Sequence, residues 1–298
     1  MKWFLFSLMI FSTTDRIESL FKRASKWRVG SAISEVEAAR DTLKNMGDSA
    51  VLMVLKKHIK TESLLELRAL KAIMKEKHPV YMDSLRAYIL SRDDTVKIAA
   101  IYLAGELKDT QSIPNLIKSL KDTSLRVKLN ALMAMGKIGD TSCGKYICQS
   151  LKSKNQREVV TALSAITTMG YESCISSVYK KMHEKDANSF VKYAALFAIS
   201  SMKDTAFVLL KDKLTQKIDF YDLSAFYETI RRMRKLSLQD TLVARKIFKS
   251  AFKNTDAATR IIAVRGLCQL SGEDVLKNFL FDETDKGVRF EIKRCLER

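Results

Sequence analysis

Apolar residues recur along the chain at helical spacing, in segments that short polar turns separate. In the clearest segment, Val96 is followed by Ala99 and Leu103, three and seven positions later. Residues with this spacing lie on one face of an α-helix. The turn Lys108-Asp109 follows, and then a second apolar stripe begins. The pattern therefore predicts a unit of two antiparallel helices.

This two-helix pattern repeats with a nearly constant period. Successive valine-type anchors are 31, 29, 31, 32, 32, 32, 36 and 29 residues apart. One helix pair cannot bury its apolar stripes, whereas stacked pairs can. We therefore predict an all-α fold, a right-handed α-solenoid of about eight to nine stacked two-helix repeats over residues 31–298. The anchors are Val36, Leu67, Val96, Val127, Val159, Val191, Leu223, Thr259 and Val288.

The best copies of the repeat share a motif. An acidic residue, a valine, a lysine or arginine and then alanines occur in residues 94–100, and a Gly-Asp turn closes residues 127–140. This motif resembles that of the HEAT-repeat family, in particular its short bacterial, phycobilin-lyase-type repeats. The resemblance implies that second helices line a concave face and that Asp and Arg of successive turns form a ladder. Lys97, Lys128 and Lys192 stand where Arg is usual, which would weaken bidentate pairing.

The chain lacks the residues that form the active sites of known enzymes with HEAT-like repeats. Proteins similar to deoxyhypusine hydroxylase bind a di-iron centre through four His-Glu pairs, but this chain has three histidines and only His183 precedes a Glu. His183 is interpreted as a surface residue at a helix end. The cleft aromatics of HEAT-like DNA glycosylases and a chromophore site are not recognisable either. Phosphate-binding glycine loops and a nucleophile elbow do not occur. We predict that the protein is not an enzyme, with no catalytic residue, cofactor or metal.

The five cysteines form an odd and scattered set, which does not indicate a disulfide framework. Cys268 and Cys295 lie among apolar residues at helical spacing, so we interpret them as small core residues. Cys143, Cys148 and Cys174 lack the C-x-x-C pairs that are typical of zinc sites.

Positive charge is in excess, with 52 basic against 34 acidic residues and a net charge of +18. Such an excess is compatible with anionic partners. The densest cluster ends one helix and continues on the next. It is interpreted either as a partner-binding patch or as a solvated face that helix dipoles favour. The predicted partner-binding residues are Arg231, Arg232, Arg234, Lys235, Arg245 and Lys249. The aromatic concentration of the repeats is Phe220, Tyr221, Phe226 and Tyr227, which favours either a ligand groove or core packing.

The amino terminus allows two interpretations. In residues 1–14, one lysine precedes nine mostly apolar residues, a pattern typical of a short signal peptide or of an uncleaved membrane anchor. In the other interpretation, residues 15–30 form an amphipathic capping helix. Residues 1–28 then provide a basic amphipathic stretch that could bind a membrane surface. Its apolar stripe is Ile17, Leu20, Phe21, Ala24 and Trp27. We expect an exported, cell-envelope or membrane-associated protein in preference to a cytoplasmic one.

The sequence thus predicts a non-enzymatic binding scaffold that engages a protein or peptide partner on its concave face. The alternative is a cytosolic nucleic-acid-binding solenoid, which would contact backbone phosphates through basic patches without reading the sequence. Its affinity would fall steeply with salt concentration.

Overall fold

The computed structural model describes residues 2–30, 32–233 and 235–297, with side chains from residue 13 onward. These residues form eighteen α-helices, three short 3-10 turns and no strand, so the predicted all-α class is confirmed. The helices are α1 (Lys2–Ala24), α2 (Ala32–Asn45), α3 (Asp48–His58), α4 (Leu64–Ile73), α5 (Pro79–Tyr88), α6 (Asp94–Glu106), α7 (Ile113–Ser119), α8 (Leu125–Ile138), α9 (Gly144–Ser150), α10 (Gln156–Met169), α11 (Ile175–Met182), α12 (Ser189–Ser201), α13 (Lys203–Gln216), α14 (Phe220–Arg232), α15 (Leu238–Ala251), α16 (Ala257–Gln269), α17 (Glu273–Asp282) and α18 (Lys286–Leu296).

The chain divides into two compact units, Met1–Cys143 and Gly144–Arg298. Even-numbered helices from α2 to α18 begin the repeats and are called first helices; odd-numbered helices from α3 to α17 are second helices. All nine sequence anchors lie in first helices, and none is more than 9% exposed. Neighbouring first helices pack side by side within each unit, as α6 packs on α8 and α12 on α14. The predicted stacking of two-helix repeats is confirmed.

Turn residues set the helix boundaries. The Asp93 carboxylate accepts hydrogen bonds from two backbone N–H groups at the start of α6, and Asp256 does the same for α16. Pro79 and Pro114 lie in the first turns of α5 and α7, where the missing N–H of proline costs least. Gly139 ends α8 in the left-handed region, at φ 74°.

Small residues allow the first helices to approach closely. A Cβ atom added to Gly105 of α6 would lie 2.8 Å from the Cα of Ala134 on α8, which is closer than real Cβ contacts. Ala99 and Leu103, which the periodicity places on the same face as Val96, are buried. The helix interface therefore depends on residues that lack bulk at the crossing point.

Ion pairs link successive turns, as the family resemblance implies, but only some use arginine. The Arg86 guanidinium donates two hydrogen bonds of 2.9 Å to the buried Asp109 carboxylate. Lys97 contacts Asp122 with a single 2.6 Å bond from its ammonium. A third pair, Arg260 with Glu283, is again bidentate at 2.8 and 3.1 Å. The difference follows from the planar, two-pronged geometry of guanidinium.

The two other lysines of the motif do not continue the ladder. The Lys192 ammonium lies 5.3 Å from the ring centroid of Tyr221. Lys128 acts on Asp122 only through charge attraction, without a hydrogen bond between them in the described part of the chain.

Four of the five cysteines are paired, so the expectation that they form no disulfide framework is wrong. Cys148 bonds to Cys174 and Cys268 to Cys295, with Cα atoms 6.0 and 5.9 Å apart. Cys143 is a buried free thiol, and burial, with a smaller effect of the Asp140 charge, raises its pKa to about 11. The paired cysteines are 26 and 27 positions apart, slightly less than one repeat, so each bond links two neighbouring repeats.

Helix α1 packs against α2 and α3 through part of the predicted stripe. Ile17, Leu20, Phe21 and Ala24 are buried, but Trp27 is 66% exposed, since the helix ends before it. The apolar side chains of residues 3–11, on which the signal-peptide and anchor interpretation depends, lie outside the described side chains.

Among helices built from described residues, none is by itself long and apolar enough to cross a membrane. Helices α12 and α13 meet that criterion of length and hydropathy only as a pair, across a bend of 116°.

The Arg86–Asp109 pair is expected to contribute more to stability than an exposed pair does. Burial of Asp109 raises its pKa, but hydrogen bonds from Arg86 and Ser112 outweigh burial and leave the pKa below its ordinary value. Arg86→Ala should therefore lower the free energy of unfolding by about 3 kcal/mol at neutral pH. Arg126→Ala, which removes an exposed pair with Glu62, should cost about 0.5 kcal/mol or less.

Urea unfolding at several pH values checks this prediction. Because the folded-state pKa of Asp109 lies below the unfolded one, its carboxylate stabilises the fold above about pH 4. That contribution is lost as the pH falls through the lowered pKa. The difference between wild type and Arg86→Ala should therefore shrink in acid, and a difference that stays constant would contradict the assignment.

The disulfide pairing predicts a specific alkylation pattern. Protein purified without reductant and then denatured should react with iodoacetamide at Cys143 alone, and at all five cysteines after reduction. Removing either bond should lower the free energy of unfolding by about 3 kcal/mol, because each closes a long loop in the unfolded chain. Peptide mass mapping provides the measurement. Labelling of Cys268 or Cys295 before reduction would show that their bond is absent.

Candidate functional site

A groove crosses three first helices of the second unit, α12, α14 and α16. Its cavity of about 350 Å³ is lined by aromatic and aliphatic side chains and by few polar ones. The lining residues are Tyr193, Leu196, Phe197, Phe220, Ser224, Tyr227, Glu228, Ala258, Ile261, Ile262 and Arg265.

Helix α12 supplies the exposed aromatic wall of the groove. Phe190, Tyr193 and Phe197 follow one another at three and four positions, so they share one face. They are 76%, 44% and 43% exposed, although Val191 and Ala195 of the same helix are buried. The stacking of repeats therefore buries one face of α12 and leaves its aromatic face exposed to solvent.

Helix α14 divides the aromatic concentration that the sequence shows. Phe226 is fully buried between Phe207 and Phe248, with ring centroids 5.1 and 5.7 Å away. Phe220 and Tyr227 line the groove instead. Core packing is thus the role of Phe226, whereas Phe220 and Tyr227 belong to a groove.

A second cavity of about 560 Å³ continues the groove toward α18 and shares Tyr227, Glu228 and Arg265 with it. Its arginines are already neutralised inside the protein. Arg231 donates to Glu228 at 2.9 Å, and Arg265 donates to Glu291 at 3.0 Å. The cavity is therefore close to electrically balanced and does not present free guanidinium groups.

Arg294 is the second guanidinium that contacts Glu291. Burial raises the pKa of Glu291, but Arg265 and Arg294 outweigh burial and hold the pKa below its ordinary value. The Cys268–Cys295 disulfide lines this cavity and links α16 to α18, so the wall is fixed covalently.

The predicted basic residues do not form one surface patch. Arg231 lines the second cavity, and the Arg232 guanidinium lies 5.9 Å from the ring centroid of Phe197 at the edge of the groove. Lys235 is exposed in the turn before α15, and Lys249 is exposed on α15. Arg234 lies outside the described residues.

Arg245 has an internal role. Its guanidinium donates to the backbone carbonyl of Ser271 and lies 3.5 Å from Asp274. These contacts tie α15 to the turn between α16 and α17, so substitution of Arg245 changes packing as well as surface charge.

Tyr193 and Phe197 are the groove residues that the sequence interpretation missed. The signal was present: both lie off the buried face that Val191 and Ala195 define, so the same periodicity marks them as outward-facing. Exposed aromatics that recur on one helix face are unusual for a solvated surface.

His183 is exposed at the end of α11, as expected, but it also binds a buried carboxylate. Its Nε2 lies 2.9 Å from Oδ1 of Asp222, and the Tyr179 hydroxyl donates to Oδ2 at 3.0 Å. Burial raises the pKa of Asp222, against the opposing effects of His183 and Tyr179. Asp219 brings a third potential metal ligand within 4.8 Å, but both Asp222 oxygens already have protein partners. We assign the cluster to linking α11 with α14.

Comparison with known proteins gives a family match to part of the chain. Residues 82–166 match the family model of HEAT repeats. No curated protein matches the sequence significantly.

Solved structures resemble the fold at low sequence identity. Importin beta is 10% identical, with a TM-score of 0.58 over 95% of this chain and 43% of that chain. An archaeal HEAT-like repeats protein from Thermococcus onnurineus NA1 is 14% identical, with a TM-score of 0.49 over 74% of this chain and 97% of that chain. The CpcE–CpcF complex of phycocyanin lyase from Nostoc sp. PCC7120 is 14% identical, with a TM-score of 0.41 over 72% and 93%.

The chain spans less than half the length of importin beta, and at 10% identity that structure shows the fold alone. HEAT-repeat folds typically serve as protein-interaction scaffolds. Residues 82–166 match the family model of HEAT repeats, so the resemblance to the HEAT-repeat family that the sequence predicts is confirmed.

Proposed function

We propose that the protein is a non-enzymatic scaffold whose second unit binds an apolar segment of a protein or peptide partner. The groove over α12, α14 and α16 is the binding surface. The observation that carries this proposal is the exposed aromatic face of α12, formed by Phe190, Tyr193 and Phe197.

Aromatic side chains at such a surface favour binding of a partner. Tyrosine and arginine are enriched among residues that contribute most to interface affinity. Tyr193, Phe197 and Tyr227 offer large apolar area, and their few rotatable bonds limit the entropy that is lost on binding. A groove between helices also shields the contact from water, as apolar anchors require.

The charges around the groove favour a partner with acidic residues beside its apolar ones. Arg232 lies against Phe197, and Lys192 lies against Tyr221, without a carboxylate partner in the described part of the chain. Lys235 is exposed between α14 and α15. Arg231 and Arg245 contribute less, because each already has a partner within the protein.

The resemblance to HEAT repeats implied a binding face of second helices. The groove lies instead over first helices, because their side-by-side packing leaves aromatic residues between them. The scaffold function does not depend on this difference, since peptide recognition needs only a rigid apolar groove with polar edges.

Selection from a random peptide library against the purified protein tests the proposal. Enriched peptides should carry aromatic or aliphatic residues with acidic neighbours. The double variant Tyr193→Ala/Phe197→Ala should weaken their binding about tenfold or more, because each truncation removes an anchor worth more than about 1 kcal/mol.

The matched control is Leu238→Ala/Phe281→Ala, which removes two exposed apolar side chains that do not line the groove. It should leave affinity unchanged in a fluorescence-polarisation titration. Circular dichroism should show equal helicity and thermal midpoints for both variants. Peptides that bind the groove variant and the control equally well would exclude the groove as the binding surface.

A further inference from the structure

The first unit contains a cavity that differs from the two of the second unit in its charge. It has a volume of about 810 Å³ and lies where α1 ends, beside α2, α4 and the end of α6. Eight cationic side chains and one carboxylate, that of Glu106, line it. Cavities of this size commonly hold a small molecule.

Part of this charge is compensated within the protein. Lys26 lies 3.2 Å from Glu35, Arg28 pairs with Glu37, and Lys71 pairs with Glu106. The remaining lining cations form no ion pair with any residue that the structure describes. These unpaired cations are Arg40, Arg68, Lys75, Lys77 and Lys108.

The unpaired cations are held by the fold in one place. Arg68 and Lys71 are three positions apart in α4, so they share one face of that helix, and Lys75 lies in the turn that follows α4. Lys77 lies in the turn between α4 and α5 and Lys108 in the turn after α6, both in the left-handed region, at φ 55° and 52°. The Arg40 Nε donates to the Ala24 carbonyl at 3.1 Å, which orients its guanidinium.

Helix dipoles do not balance this excess. The carboxyl ends of α4 and α6 carry roughly half a negative charge each, which favours nearby cations. Their combined charge of roughly minus one is small compared with the charge of five unpaired cations. Burial lowers the pKa of Arg40, and the charge of Arg28 lowers it further, so the charged form of Arg40 is less favoured here than in water. An anionic ligand would offset the repulsion among the unpaired cations of the cavity.

The edge of the cavity is aromatic and aliphatic. Trp27 is 66% exposed and Val29 is 67% exposed, and both line the cavity beside the cations. A bare inorganic anion gains nothing from an indole ring. A ligand that joins phosphates to a planar ring uses both features, because bases stack on tryptophan while cations hold the phosphates.

We propose that this cavity binds a nucleotide, with its phosphates on Arg40, Arg68, Lys75, Lys77 and Lys108 and its base stacked on Trp27. The chain lacks the glycine loops that cradle phosphates with backbone N–H groups, so side-chain cations supply the binding. The nucleotide is either free or one unit of a single strand, because both present the same phosphate and base chemistry.

Fluorescence of Trp27 tests the proposal in the full-length protein. The substitution Trp3→Phe leaves Trp27 as the only tryptophan. ATP should quench its emission and bind more tightly than tripolyphosphate. Trp27→Ala, followed by calorimetry, should weaken ATP about tenfold and leave tripolyphosphate unchanged, because only ATP carries a base.

Charge reversal separates this cavity from the general positive charge of the protein. Arg68→Glu/Lys75→Glu should weaken ATP at least about tenfold, because hydrogen bonds to charged groups are the strong ones. Lys246→Glu/Lys253→Glu changes the net charge equally on the exposed surface of the second unit and should leave affinity unchanged. If the first double variant loses helicity, Lys108→Glu alone provides the same comparison.

The outcomes distinguish the possible ligands. A short oligoadenylate that binds more tightly than ATP, with the same dependence on Arg68 and Trp27, would identify a single strand as the source. Tighter binding of ATP would identify the free nucleotide. Equal affinity for ATP and tripolyphosphate would overturn the proposal. Binding to vesicles of anionic phospholipid that depends on Arg68, without binding of ATP, would also overturn it.

Discussion

Burial of the first helices against one another is the constraint on which the rest of the structure depends. A helix pair in this chain has too little apolar surface to be stable alone, so each pair needs neighbours. Gly105 against Ala134 shows how tight the contact is, since a single added methyl group would collide with backbone. The anchor valines are buried for the same reason. Stability is therefore distributed over many similar interfaces.

This mode of packing determines which surfaces remain for binding. One face of each first helix is consumed by its neighbours, and the helix ends are closed by caps and ion pairs such as Arg86 with Asp109. The remaining face does not pack against neighbouring first helices. Residues such as Tyr193 and Arg68 can occupy it without a cost to the core, which is how one repeated framework carries two different surfaces.

The two surfaces differ in charge balance, and that difference favours different ligands. In the second unit, Glu228 and Glu291 pair with Arg231 and Arg265 beside the groove, whose lining is mostly aromatic and aliphatic, so apolar contact dominates. In the first unit, Glu106 is the single carboxylate among the lining residues of the cavity, and most of its cations are unpaired. Net charge alone does not distinguish these situations, because an arginine in an internal ion pair and a free one count equally.

The sequence by itself determined the repeat. Apolar periodicity is local, so the anchors, both prolines and the helix pairing could be located from residues 31–298 alone. What only the tertiary structure decided is which distant residues meet. Cys268 bonds to Cys295, Arg245 donates to the carbonyl of Ser271, and Trp27 lines the same cavity as the cations of α4. Helix spacing specifies the face on which a side chain lies, but the stacking of neighbouring repeats specifies what faces it, and that requires the folded chain.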